Sequence, residues 1–245
     1  MRRNNSSRNK LAAAEQGQKQ QNKMPKPQPW LVLLSQRRVA LAGALVAFVV
    51  LYTLAQKSDE VKDDEAIPCD VLTNPRWAPR LPSLVELSLR NCGLTELPAA
   101  IGQCTSLKKL DLGGNDLTDL PMTLAKCTQL EILFVLGSRR MTSVPKVLAQ
   151  MTSLTRLGLK SNGLTKLHGD ALPPHLIHAI FTDNQITTID ESAWRKFSSI
   201  RKLMLANNRL TSFTGGANPL KNLASLELVR LANNDLQALP DDVLR

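Results

Sequence analysis

"LKKLDLGGNDL", residues 107–117, decides how this chain is read. Leu107, Leu110, Leu112 and Leu117 share it with Lys109, Asp111 and Gly113, which alternate with the strand leucines. Successive side chains of a strand point to opposite faces, so the leucines face one way and Lys109, Asp111 and Gly113 the other. Asn115 falls where the chain must turn, and its amide can satisfy backbone groups buried in the bend. The phrase recurs from Leu84, Leu107, Leu130, Leu154, Leu176, Ile200 and Leu226, at intervals of 23, 23, 24, 22, 24 and 26 residues. Such a period marks a repeat array with one short strand per unit. One unit cannot bury its own leucines, whereas a stack of them can. The expected fold is therefore α/β: a curved solenoid over residues 81–245, with a parallel β-sheet on its concave face.

Each unit carries its own version of the turn. Asn162, Asn184, Asn208 and Asn234 stand where Asn115 does, and Cys92 and Ser138 replace it. Pro98, Pro121, Pro145 and Pro240 open the return segments, where a missing N–H suits the first turn of a short helix. The phrase L-x-x-L-x-L-x-x-N/C-x-L resembles that of leucine-rich repeat proteins, across residues 81–245. "LTELPAAIGQCTSL" (94–107) and "LTDLPMTLAKCTQL" (117–130) resemble the L-P-x-x-L variety of intracellular signalling scaffolds. Residues 172–236 are also similar to arrays that sometimes precede protein-kinase-like domains. The resemblance implies a protein-binding role. An alternative it leaves open is the recognition part of a longer, possibly kinase-like signalling protein whose catalytic domain is absent from this chain. The closing "LPDDVLR" (239–245) lacks the polar end cap that solenoids use, so either a partner over that end or further sequence is expected.

The third unit departs from the pattern. In "LEILFVLGSRRMTSVP" (130–145) an extra residue sits between Ser138 and Met141, expected to bulge the turn and lift Arg139 and Arg140 outward. Phe134 takes the central outward strand position, whose counterparts are Ser88, Asp111, Gly158, Ile180, Met204 and Arg230. The flanking outward positions are Glu86/Arg90, Lys109/Gly113, Ile132/Leu136, Arg156/Lys160, His178/Thr182, Lys202/Ala206 and Leu228/Ala232. With strands about 4.8 Å apart, Ile132, Phe134, Leu136, Ile180 and Met204 form an apolar strip, edged by Arg156, Lys160, Lys202 and Arg230. Exposed contiguous apolar surface marks contact sites, and aromatics with arginine are common anchors. The competing reading is that these side chains pack sideways on one another, as sheet faces do.

Charge divides the chain. Residues 1–38 hold nine Lys/Arg and one acid, Glu15, while residues 56–80 hold four basic and six acidic groups. Residues 81–245 hold eighteen and fourteen, so most of the formal +10 is a tail. The tail, rich in Asn, Gln, Lys, Arg and Pro, is expected to be disordered. "VALAGALVAFVVLYTLA" (39–55) follows it without a charge, long enough as a helix for a single transmembrane span. Tyr52 and Trp30 suit the interface, and Arg37-Arg38 place the N-terminus in the cytosol by the positive-inside rule. The leader is too long for a cleaved signal peptide, so an uncleaved signal anchor is expected, with residues 56–80 as linker and N-terminal cap. A mitochondrial inner membrane is the rival location. No N-x-Ser/Thr sequon follows residue 55, although Asn4 and Asn5 begin two in the tail.

The chemistry classes thin out quickly. There is no G-x-G-x-x-G, P-loop, G-x-S-x-G or H-E-x-x-H motif, so catalysis is not expected and no cofactor is implied. Asp190-Glu191 reads as a helix start. His168, His175 and His178 lack companion ligands, so no metal is expected. No nucleic-acid partner is expected either, since the basic residues lack interleaved aromatics. Cys104 and Cys127, one period apart, read as buried apolar fillers, and Cys69 stands alone before the first unit, so no disulfide is expected. Trp77, in "NPRWAPRLP" (74–82), is expected to cap the first unit's leucines. With aromatics at 4%, the core is expected to be aliphatic.

Overall fold

The computed structural model describes residues 67–213 and 219–237, all within Lys62–Arg245, the second of the chain's two compact units. The tail 1–38, the span 39–55, the linker's first residues 56–66 and the closing residues 238–245, Pro240 among them, lie outside the described residues. Among the described residues, no helix is long and apolar enough to cross a membrane.

Among the described residues nine short strands occur in chain order: β1 (Glu86–Ser88), β2 (Lys109–Asp111), β3 (Ile132–Phe134), β4 (Arg156–Gly158), β5 (Lys166–Leu167), β6 (His178–Ile180), β7 (Thr188–Ile189), β8 (Lys202–Met204) and β9 (Leu228–Arg230). Seven of them form one parallel sheet in the order β1-β2-β3-β4-β6-β8-β9, and β5 pairs with β7 separately. Register is in phase throughout, so Leu87, Leu110, Leu133, Leu157, Ala179, Leu203 and Val229 form one inward column. Ala179 is the small member, and Phe181 two residues on is fully buried beside it, which keeps the volume of that layer.

The turn that follows each strand repeats with little change. Asn115 Nδ2 donates to the carbonyls of Leu89 and Leu112, both at 2.8 Å, and its Oδ1 accepts from the N–H groups of Cys92 and Leu94. Asn184 and Asn208 bridge consecutive repeats in the same way, and Asn162 ties Val135 O to Ser138 N–H. Ser138, as expected, serves with its hydroxyl: Oγ donates to Asn115 O and accepts from Leu117 N–H. The residue before each ladder position is left-handed: Asn91, Gly114, Gly137, Ser161, Asp183, Asn207 and Asn233 have φ between 54° and 82°. Gly, Asn and Asp adopt that region at least cost.

Like the later Pro219–Asn222, the first three return segments are short 3-10 helices, Ala99–Gln103, Met122–Lys126 and Lys146–Gln150. Pro98, Pro121 and Pro145 sit one residue ahead of them, each carbonyl accepting the first N–H of the turn. Further along, the α-helix Glu191–Lys196 (α1) takes over, with Asp190 Oδ1 capping Ala193 N–H at 2.7 Å, as the sequence indicates. Here the core departs from the aliphatic expectation. Phe181 packs on Phe197, Trp194 on Phe197, and Trp194 on Phe213, with ring centroids 5.9–6.3 Å apart. The few aromatics are gathered where a wider helix replaces the 3-10 turns and leaves more volume to fill.

The extra residue of the third unit does turn outward, leaving Arg139 and Arg140 exposed. Its backbone is accommodated by the next unit: a Cβ on Gly163 would lie 2.4 Å from Arg139 O. Trp77 is buried ahead of the first strand, as are Val71, Leu72 and Leu81.

The cysteine reading is corrected. Cys69 and Cys92 form a disulfide, with Cα atoms 5.4 Å apart and a sequence separation of 23. Ladder side chains reach back to the carbonyls of the preceding repeat, and the first repeat has none behind it. Cys92 therefore turns to the cap, and Cys69, one period upstream, occupies the matching place there. Cys104 and Cys127 are the buried free thiols. Burial pushes their pKa values up to about 11 and about 12, the second helped by its neighbour Cys104.

These assignments fix a thiol count. Without reductant, no cysteine of the native chain reacts with a thiol reagent at neutral pH, and two react after unfolding in urea. Replacing Cys69 and Cys92 with Ala lowers unfolding stability by about 3 kcal/mol, as expected for a loop of this length. Four reactive thiols in the unreduced, unfolded chain would contradict the pairing.

Candidate functional site

The outward side of the seven-stranded sheet carries every residue that the sequence marks for partner contact. Register confirms the columns: Glu86, Lys109, Ile132, Arg156, His178, Lys202 and Leu228 are neighbours in one, and Ser88, Asp111, Phe134, Gly158, Ile180, Met204 and Arg230 in the next. In-phase pairing of three-residue strands dictates this, because one residue of slip would turn every leucine outward.

The strip is built differently at its two ends. Ile132, Phe134 and Leu136 are half-buried. A Cβ on Gly158 would meet Phe134 Cδ1 at 2.5 Å and Leu136 Cδ2 at 3.4 Å, so both side chains lean over the neighbouring strand. Phe134 thus fills the space that Gly158 leaves, which is the sideways-packing reading realised at this residue. Ile180 and Met204 lie beyond it as direct partners, both half-buried. The structure brings Phe134 together with Ile132 and Leu136, and Ile180 with Met204; Gly158 separates the two groups.

Charge is divided in the same way. At the N-terminal end, Lys109 Nζ pairs with Glu86 at 2.9 Å and Arg90 with Asp111 at 3.0 Å. The hydrogen bond to Glu86, with that carboxylate's charge, holds the Lys109 pKa above its usual range. At the other end Lys160 pairs with Asp183 at 3.5 Å. Arg156, Lys202 and Arg230 are exposed and form no ion pair among the described residues. His178, which sequence reading left as a plain surface residue, stands between Arg156 and Lys202 in register. Partial burial, then Lys202, Arg156 and Arg201, hold its pKa below the usual histidine value, while Glu227 acts weakly the other way. The signal for His178 was available, since it occupies the outward position of a strand flanked by two basic repeats.

Among the described residues no group of three or more His, Cys, Asp or Glu could hold a metal ion. His168 Nδ1 and Asp190 are 2.8 Å apart, but Ser192 also turns to Asp190, and the three serve the α1 cap. A polar cleft of about 310 Å³ lies on the turn side, lined by Arg139, Ser161, Asn162, Asp183, Asn184 and Gln185. Its Asp183 is engaged with Lys160 and Asn207, and its Asn162 and Asn184 with the ladder carbonyls.

Two models of leucine-rich repeats match the chain, over residues 82–122 and 152–210. The chain carries leucine-rich repeats. Among solved structures, the repeats are similar to a chain of the Toll–Spatzle complex of Drosophila, with 29% identity and a TM-score of 0.59 over 66% of this chain and 23% of that one. They share a fold with a chain of the TLR13–ssRNA13 complex, at 23% identity and a TM-score of 0.60 over 65% of this chain and 23% of that one. A leucine-rich repeat protein of Leptospira interrogans shares it at 22% identity and a TM-score of 0.53, over 79% of this chain and 60% of that one. The chain thus spans less than a quarter of the length of the Toll and TLR13 chains it matches. No curated protein sequence matches it.

The packing of Phe134 on Gly158 is open to a direct check. Gly158→Ala displaces the ring outward, raising the solvent exposure of Phe134 while lowering stability by no more than about 1 kcal/mol, because a side chain rather than backbone must yield. Unfolding of the variant would show that the leucine-rich repeat stack itself depends on that contact.

Proposed function

We propose that this chain is a membrane-anchored leucine-rich repeat protein that binds another protein through the concave face of its repeats. The observation that supports this reading best is the half-buried pair Ile180 and Met204 beside the exposed cations Arg156, Lys202 and Arg230, which form no ion pair among the described residues. Apolar groups ringed by unsatisfied charge suit a surface completed by a second protein, in which the apolar centre supplies affinity and the charges orientation. Phe134, Ile132 and Leu136 border that surface, and Lys160 borders it on the turn side. The Toll–Spatzle complex is a precedent for a protein ligand on this fold.

The anchor is residues 39–55, a signal anchor with the basic tail 1–38 in the cytosol, residues 56–80 as linker and cap, and repeats 81–245 on the far side. The Cys69–Cys92 disulfide favours that side, because such bonds persist where the redox poise is oxidising. It weighs against the intracellular habit of the L-P-x-x-L repeats, which is a composition resemblance and not a redox requirement.

Two measurements test this. A photo-crosslinking residue at Met204 in the full chain captures a discrete protein partner in cells, and one at Met122, exposed on a return segment, does not. Ile180→Glu with Met204→Glu weakens capture by about tenfold or more. Equal capture from both positions would remove the sheet face as the site. For sidedness, Asp116→Asn turns "DLT" (116–118), in which Asp116 and Thr118 are exposed, into a glycosylation sequon in the repeats. Expected is glycan on that variant and none at Asn4 or Asn5; the reverse pattern would invert the orientation.

A further inference from the structure

The two halves of the sheet face treat charge in opposite ways. The outward positions of β1, β2 and β3 hold Glu86, Arg90, Lys109 and Asp111, which neutralise one another as two ion pairs. Those of β4, β6, β8 and β9 hold Arg156, Lys160, Lys202 and Arg230 and no acid. Lys160 alone has a partner, Asp183 from the turn. Glu131 and Glu227 lie one residue before the face; Glu227 is taken by Arg201, and Glu131 makes no ion pair with Arg156 among the described residues. Arg156, His178 and Lys202 are successive cross-strand neighbours. Arg156 and Lys202 thus stand two strand spacings apart, about 10 Å, with His178 between them. Partial burial first, then the charges of Lys202, Arg156 and Arg201, hold the His178 pKa below its usual value. An anionic group placed over the column would meet these unpaired cations.

We infer that β4, β6, β8 and β9 take an acidic protein segment carrying one apolar side chain, with Arg156, Lys202 and Arg230 meeting its carboxylates and Ile180 and Met204 its apolar group. The inference rests on the docking function proposed above and adds which half of the face is used and the chemistry of what it takes. Four strands about 4.8 Å apart cover roughly 14 Å, the length of about four extended residues. A protein fits this half better than a nucleic acid. Base stacking needs an aromatic platform, and the one phenylalanine of the face is already laid over Gly158. Charge complementarity of this kind governs on-rate and selectivity, so binding falls as salt rises.

The test uses the full chain in detergent and labelled peptides of sequence Glu-Glu-Leu-Glu-Glu and Lys-Lys-Leu-Lys-Lys, read by fluorescence anisotropy. Expected is binding of the acidic peptide about tenfold or more tighter than the basic one, and a similar loss in Lys202→Glu with Arg230→Glu. Lys109→Glu, in the neutralised half, leaves affinity within about twofold. The milder Lys202→Gln with Arg230→Gln, whose thermal unfolding is compared with the parent, gives an intermediate loss and guards against misfolding. Equal binding of the two peptides, or equal loss from Lys109→Glu, would overturn the inference. So would tighter binding of a labelled oligouridine that the same variants abolish, or self-association of the chain that they abolish. Should the Met204 crosslink persist unchanged in the charge-reversed chain, the docking surface stands and only its acidic partner falls.

Discussion

Everything in this fold leans on the side-chain amides at its turns. Asn115, Asn162, Asn184, Asn208 and Asn234 each reach back to a carbonyl of the preceding repeat and accept an N–H there, so buried backbone groups at the bend are satisfied. Without that bond, three-residue strands would be too short to hold register by their own ladders. Its geometry demands a left-handed residue immediately before it, which explains why Gly, Asn, Asp and Ser crowd that position. The bond also has a direction. Because every amide points toward the N-terminus of the array, the first repeat has nothing to reach for, and a disulfide to the cap takes the place of the missing partner.

The sheet face follows from the same register. Outward side chains fall into columns whose members touch, so each residue is defined by its two lateral neighbours as much as by its own chemistry. In the first three repeats those neighbours satisfy one another, acid against base and Phe134 against Gly158. In the later repeats Arg156 stands beside His178 and His178 beside Lys202, and the apolar pair Ile180–Met204 is half-buried.

Much of this was legible in the sequence. Period-2 alternation placed every inward leucine and every outward column, and the Asn/Ser/Cys series placed the turns; these depend on nearby residues only. Asp190 was legible for the same reason. What escaped depends on side chains meeting across repeats. Phe134 stood out by type, but its direction was decided by a glycine 24 residues away, which leaves an opening only when the strands are aligned. Cys69 was weighed against cysteine-rich caps and dismissed as solitary. The spacing of 23 that marks Cys104 and Cys127 as neighbours also links it to Cys92. The aromatic cluster around Trp194 was hidden by a low overall aromatic content, since composition says nothing about where the few rings gather.

Gly158 and Gly163 belong to the fourth repeat, yet each is required by the third, one by the ring of Phe134 and the other by the carbonyl of Arg139. Units joined in this manner are no longer interchangeable beads. Duplicating, deleting or shuffling either one alone would set a side chain against its neighbour's ring or carbonyl, as it would where Gly102 meets Thr123 and Gly169 meets Ser192. The order of the array is written into its joints.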